Sequence, residues 1–284
     1  MRKPLILALL TLAALLPATP PAHAVGGGFF NLHCKLSHRA KDDPIVFPGV
    51  PGAAHLHDFF GNKSTNAYST RSSMLQSGTT CDLSSDKAGY WAPTLLDKSG
   101  NPAPLQRFQI YYRSASGLPV QPFPPNLKII AGGDTLNPPA PSRSQRSLSW
   151  SCGDTQPYVA SPPDCSDSGM KVTGHILFPD CLKTGVTDSA NHRSHMTYGG
   201  RNCPSGYVAV PRLNLHIRYA VSNAKGYALS SDMPGMVHGQ SLHADFWNTW
   251  DQKALEFLVQ HCLNGGRKCA EMTDAKLADM GFSG

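Results

Sequence analysis

A mainly β fold is what this 284-residue sequence predicts: a loop-rich, disulfide-stapled sandwich or distorted barrel with a C-terminal helix, and an α+β arrangement as the alternative. Three observations predict it. Several short runs alternate apolar and polar residues with the period of two that one-faced burial of a strand requires. Helical spacing is confined to the last part of the chain. Charge is sparse, at 15% Asp, Glu, Lys and Arg, while 26 Gly and 24 Pro supply abundant turns.

In chain order, Gln106 to Arg113 places Phe108, Ile110 and Tyr112 on one face. Leu127 to Ala131 is apolar and β-branched. Ser147 to Cys152 and Lys171 to Phe178 are further strand candidates. Tyr207 to Val221 ends in Leu213, Leu215, Ile217 and Tyr219 against Asn214, His216 and Arg218, a half-buried strand pattern. From about Asn248, Ala254, Leu255, Leu258, Val259 and Cys262 recur at helical spacing, and Gly265-Gly266 stops the run. Thr273 is suited to cap a last helix from Asp274 to Met280.

The start of the chain predicts export. Arg2 and Lys3 precede an apolar run from Leu5 to Leu16, Pro17 ends it, and Ala22-His23-Ala24 offers a cleavage site. That run falls short of the ~20 apolar residues that span a bilayer. Residues 1–24 are therefore expected to be a signal peptide and 25–284 one extracellular domain, with no transmembrane segment after the leader is removed. Removing Arg2 and Lys3 from the formal charge of +6 leaves a mildly basic chain with scattered positives. No nucleic-acid partner is expected of it. All eight cysteines, Cys34, Cys81, Cys152, Cys165, Cys181, Cys203, Cys262 and Cys269, follow the leader, an even count that reads as a disulfide framework. Closure entropy favours short loops, hence Cys34–Cys81, Cys152–Cys165, Cys181–Cys203 and Cys262–Cys269.

Three clusters carry chemistry. In His55-Leu56-His57-Asp58 an extended backbone puts both imidazoles on one face and Asp58 on the other. His192 and His195 lie three apart, with Arg193 between them. His243 and Asp245 share a face if their segment is extended. Imidazoles with a carboxylate suit zinc, copper or iron, and equally suit general acid–base work. His55, His57 and His243 are the candidate metal ligands. A divalent metal is the cofactor such a set would hold, and its identity stays open. Asp58, His192, His195 and Asp245 join them as candidate catalytic groups; Trp91, Arg193 and Trp247 are candidate substrate-binding groups, the indoles for stacking on sugar rings, while Trp247 and Trp250, at the start of the C-terminal helix, are more readily core anchors. Asn62-Lys63-Ser64 is a glycosylation acceptor if the producing cell glycosylates. No Gly-x-Ser-x-Gly elbow, His-Glu-x-x-His helix or P-loop is present; Gly239 to His243 is the nearest approach to the first.

Pro48-Gly49 followed by His55-x-His57, then Trp150-Ser151-Cys152-Gly153, Phe178-Pro179-Asp180-Cys181, Asn191 to Met196, Cys203-Pro204 and His243 to Asp251 resemble, in order, the secreted domain of unknown function 1996. The likeness runs from about His33 to Cys262. It implies an exported domain whose signature positions are these His, Asp and Cys residues. Leu182-Lys183 and Gly206-Tyr207 depart from the family pattern. The expected function is that of a secreted hydrolase or lyase acting on an extracellular polysaccharide through a His/Asp-lined site, with a non-catalytic carbohydrate- or cell-wall-binding module as the alternative.

Overall fold

A computed structural model describes residues 27–114, 119–133, 148–154, 157–199 and 202–284. The expected leader and Ser147 lie outside the described residues. The strands, numbered in chain order, are β1 (Phe29–Cys34), β2 (Leu36–Ala40), β3 (His57–Gly61), β4 (Gly89–Pro93), β5 (Leu95–Leu96), β6 (Leu105–Arg113), β7 (Lys128–Gly132) and β8 (Leu148–Cys152). They continue as β9 (Val172–Leu177), β10 (Cys181–Lys183), β11 (Met196–Thr197), β12 (Tyr207–Ala209), β13 (Arg212–Tyr219), β14 (Ala228–Leu229), β15 (His243–Trp247) and β16 (Lys268–Cys269). Helices are α1 (Arg71–Gln76), α2 (Gln252–Leu258) and α3 (Asp274–Asp279).

Two sheets make the body. One has the order β16-β1-β6-β13-β9-β8 and the other β2-β3-β4-β15-β7. Neither closes into a barrel among the described residues, so the sandwich, not the barrel, is the architecture formed. The alternation read in β13 is the alternation of burial: Leu213, Leu215, Ile217 and Tyr219 are inside, and Arg212, Asn214, His216 and Arg218 face outward. These meet the inner face of the second sheet, where Phe60 stacks on Phe108 with ring centroids 3.9 Å apart. At about 25 cal/mol per Å2 of apolar surface, this two-sided interior is the principal stabilising term. The expected run from Tyr207 to Val221 is two strands, because Pro211 cannot donate to a ladder.

β1 passes into β2 through Lys35, so one stretch of chain crosses from the first sheet to the second. All four disulfides pair as loop closure favours: Cys34–Cys81, Cys152–Cys165, Cys181–Cys203 and Cys262–Cys269. The C-terminal helix starts later than its apolar spacing alone implies. Asp251 caps it, accepting from the Ala254 amide at 3.0 Å, while buried Asn248 donates to the Phe123 and Pro124 carbonyls. The helix widens to π form over Val259–Asn264 before Gly265. Thr273 caps α3 as expected. Asn62 is fully buried and its amide nitrogen donates to Met74 and Lys87 carbonyls. It is a structural tie, closed to glycosylation in the folded chain.

A second polar chain runs through the interior. Trp250 Nε1 donates to Tyr112, whose hydroxyl lies 2.5 Å from that of Tyr90, and Tyr90 donates to Asp86 at 2.8 Å. Trp can only donate, so the relay has one direction and ends on the carboxyl of Asp86.

Candidate metal centre

The outer face of the five-stranded sheet is where the chemistry gathers. Register places Phe59 opposite Trp91, Trp91 opposite Asp245, and Asp245 opposite Ile130. Two residues along, His57 lies opposite Pro93 and His243 opposite Gly132. Period-two alternation therefore puts His57, His243 and Asp245 on one face, with β4 between β3 and β15. At that row β4 carries only a proline ring, and the two imidazoles meet above it with centroids 5.9 Å apart. His55, just before β3, lies 4.1 Å from His57 and 5.0 Å from His243 by the same measure. One ring nitrogen from each of the three falls within 4.8 Å of the others.

The sheet face is roofed. Ile45 from the loop before β3 and Met74 from α1 join Phe59, Trp91, Ile130 and Trp247 in an apolar cluster beside the polar row. The same loop delivers Asp43, whose carboxylate lies within 4.8 Å of ligand atoms of His57 and Asp245. Asp43 Oδ1 accepts from the amides of Ile45 and Val46, both at 2.9 Å, which fixes its orientation. The sequence reading did not single out Asp43. It follows another aspartate and precedes a proline, and only the tertiary fold sets it beside a histidine.

Hydrogen bonding settles the tautomers. His57 Nδ1 donates to the Asp42 carbonyl at 3.0 Å and His243 Nδ1 to the Ser241 carbonyl at 2.8 Å. A carbonyl only accepts, so each Nδ1 carries the proton and each Nε2 presents a lone pair. This is how backbone carbonyls orient metal-binding histidines. Asp232 holds the His243 loop in turn, accepting from Gly239 N at 2.8 Å and Ser241 Oγ at 2.5 Å. Gly133, with φ of +67°, packs so close that an added Cβ would sit 2.9 Å from His243 Nδ1. His55 Nε2, His57 Nε2 and both oxygens of Asp245 are buried without a hydrogen-bond partner. A buried polar group left unpaired costs ~1–3 kcal/mol, more if charged.

Electrostatics follow from that burial. Burial pushes His55 down to about 4 and His243 to about 3, His243 also through the nearby His55. His57 is held well below the usual imidazole range by burial and by both neighbours. All three are neutral near pH 7. Asp245 is pushed well above the carboxylate range by burial and then by Asp43, which burial also raises. Arg193 opposes the shift of Asp245. Its guanidinium is fixed at the end of β7, donating to the Gly132 carbonyl at 2.5 Å.

The remaining candidates sort clearly. His192 stands near Asp43 at the border of the site and is paired with Asp188 at 2.7 Å. His195 is held apart, with Nε2 donating to Lys128 O at 2.7 Å and Nδ1 2.8 Å from Ser189 Oγ, so neither nitrogen is free for chemistry. Asp58 faces into the sandwich, as its place one residue after His57 requires. There it takes Arg39 Nε at 2.5 Å and Thr94 Oγ1 at 2.9 Å. Trp91 and Trp247 are 1% and 4% exposed and lie under the roof, so the expected stacking of these indoles on sugar does not hold. Lys128 sits over Trp247 instead, 4.4 Å from the ring centroid. Arg39→Met is expected to destabilise the fold by ~3–5 kcal/mol, because it strands the buried Asp58 carboxylate. Urea unfolding at pH 7 measures this, and a loss under 1 kcal/mol contradicts it.

The family profile described as "Domain of unknown function (DUF1996)" matches residues 43–250. The chain belongs to the DUF1996 family. No curated protein and no solved structure matches it. The DUF1996 segment begins at Asp43 and ends at Trp250, so it contains every residue of the His/Asp centre. It leaves out β1, β2 and the C-terminal helices. The four disulfides of this DUF1996 protein are consistent with an extracellular setting, and no helix among the described residues is long and apolar enough to cross a membrane.

Proposed function

We propose that this DUF1996 domain is an exported metal-dependent enzyme, a hydrolase or lyase of extracellular polysaccharide, with a divalent cation held by His55, His57, His243 and Asp245. One observation carries the reading: ring nitrogens of His55, His57 and His243 lie within 4.8 Å of one another, and the unpaired buried carboxylate of Asp245 lies within the same distance of His57 and 3.9 Å from His243 Nε2. A divalent cation there satisfies the orphaned atoms together. It also offsets the repulsion between the Asp43 and Asp245 carboxyls, which Arg193 opposes at Asp245 and His192 at Asp43. Nitrogen-rich sets with a carboxylate suit zinc or a similar borderline ion, which at ~2.0–2.1 Å from each nitrogen would draw the ligands closer together. Such an ion supplies Lewis acidity and an activated water.

The chain's own groups give the rest. Asp43, oriented by two amides, is placed to accept a proton next to the ligands. Arg193 presents positive charge at the border, suited to an oxyanion or an acidic sugar. Phe47 and Tyr68, 39% and 67% exposed, stand on the loops tied to Asp42 and Asp43. They offer the aromatic surface that sugar rings stack on. The test is elemental analysis of the purified mature protein after dialysis against zinc, copper and manganese. About one tightly held equivalent is expected, with release of reducing ends or unsaturated ends from polysaccharide only in the loaded form. Protein that retains no metal sinks the proposal.

A further inference from the structure

The opposite side of the sandwich holds a second group of polar side chains that the metal centre does not use. We propose that it is a separate binding pocket for one pyranose unit of a polysaccharide, formed by Tyr111, Asp154, Tyr158, His175, Asn214 and His216. They line a cavity of about 410 Å3 on the outer face of the six-stranded sheet, within the ~300–1,000 Å3 of small-molecule sites. Asn214 and His216 alternate outward on β13, and register sets His175 of β9 opposite His216.

Four rings cross the sheet in contact. Tyr158 to His175 is 5.2 Å, His175 to His216 is 4.6 Å, and His216 to Tyr111 is 5.1 Å between centroids. Such a strip gives C–H-rich sugar faces an aromatic partner. Tyr158 is 38% exposed at the opening. The polar groups are arranged as both donors and acceptors. Ser151 Oγ donates to the Gly153 carbonyl at 2.8 Å and so accepts from His175 Nε2 at 2.7 Å, leaving His175 Nδ1 as a lone pair. His216 Nδ1 donates to Asp154 at 3.1 Å, leaving its Nε2 as another. Asn214 adds an amide that donates and accepts. Sugar hydroxyls likewise do both. Ser149, opposite His175 in register, faces the same way, and its buried hydroxyl has no partner.

A cation fits this pocket poorly. Asp154 is already engaged by Arg218 as well as His216, and the guanidinium repels a metal ion. Arg113 lies over Tyr111, 4.5 Å from its centroid, so a uronate carboxylate has a place at that end. Shared chemistry covers both neutral and acidic pyranoses, and a titration separates them.

Calorimetric titration of the full mature protein with gluco-, manno-, N-acetylglucosamine and uronic acid hexamers tests the proposal. At least one hexamer is expected to bind, and Tyr158→Ala and Asn214→Ala each to weaken it about tenfold, ~1.4 kcal/mol. Tyr158 is exposed, so its variant reports binding and not folding. Selective loss of uronic acid binding in Arg113→Gln marks the acidic sugar as ligand. No binding by any hexamer, binding indifferent to both pocket variants, or zinc uptake abolished by Asp154→Asn overturns it.

Discussion

His57→Ala is expected to lower the affinity for the divalent cation by at least 100-fold, since it removes a ligand outright while loss of an outer partner alone typically costs ~10–100-fold. His57 contributes to both overlapping groups, one with His55 and His243 and one with Asp43 and Asp245. No other residue of the centre does. Wild-type protein is expected to lose stability on chelation, by ~2.7 kcal/mol if the free ion stood at 100 times its Kd. The variant's melting temperature should not respond to added metal. Because His57 is fully buried, its truncation also opens a cavity, so Asp245→Asn, which keeps volume, must show the same insensitivity. His195→Ala, which breaks only the links to Lys128 and Ser189, must retain the metal response. A melting temperature that rises equally with metal in wild type and both site variants would falsify the assignment.

The next largest effect is expected at Asp86, where the relay from Trp250 through Tyr112 and Tyr90 ends. Burial pushes its carboxyl up to about 8, although Tyr90 and the Ala88 amide donate to it. A raised folded value means that the native state holds the proton more tightly than the unfolded chain. Its contribution is therefore fully present below about pH 4, the ordinary carboxylate value, and is lost as pH rises through about 8. With each pKa unit worth ~1.4 kcal/mol, the loss is several kcal/mol. Asp86→Asn cannot ionise. The stability of wild type relative to this variant should fall between pH 4 and 8 and level off above. Denaturant midpoints of the two proteins across that range measure it, and parallel curves would refute it.

Much of this was legible in the residues. Long strands such as β6 and β13 announced themselves by alternation. The four disulfides followed from loop length. His55, His57, His243 and Asp245 were visible as clusters because histidine and aspartate two residues apart stand out by residue type, whatever the burial around them. What the sequence hid has physical causes. β1, β3, β4 and β15 are short, and three of them are buried on both faces or nearly so, so alternation is erased. Asp43 and the Asp154, His175 and His216 group are united by register and loop folding between distant segments. Trp91 read as open aromatic surface because composition does not reveal the roof of Ile45 and Met74, whereas Trp247 was readable as a core anchor from its place before the C-terminal helix. His195 shows the converse: a histidine within a polar motif whose two nitrogens are both spent on local structure.

The position of β15 has a consequence for how the centre comes into being. It lies between β4 and β7, both of which precede it in the chain. The last strand of this sheet to be synthesised therefore fills a central gap instead of extending an edge. Until it does, β4 and β7 border an open seam, and the imidazoles of His55 and His57 face a trough without their two partners. A chain cut short of β15 lacks half of the proposed set, since His243 and Asp245 arrive with that one strand. If the centre takes the cation proposed for it, that ion would be retained only by a chain whose final sheet strand has found its slot, and its capture would double as a proofreading step.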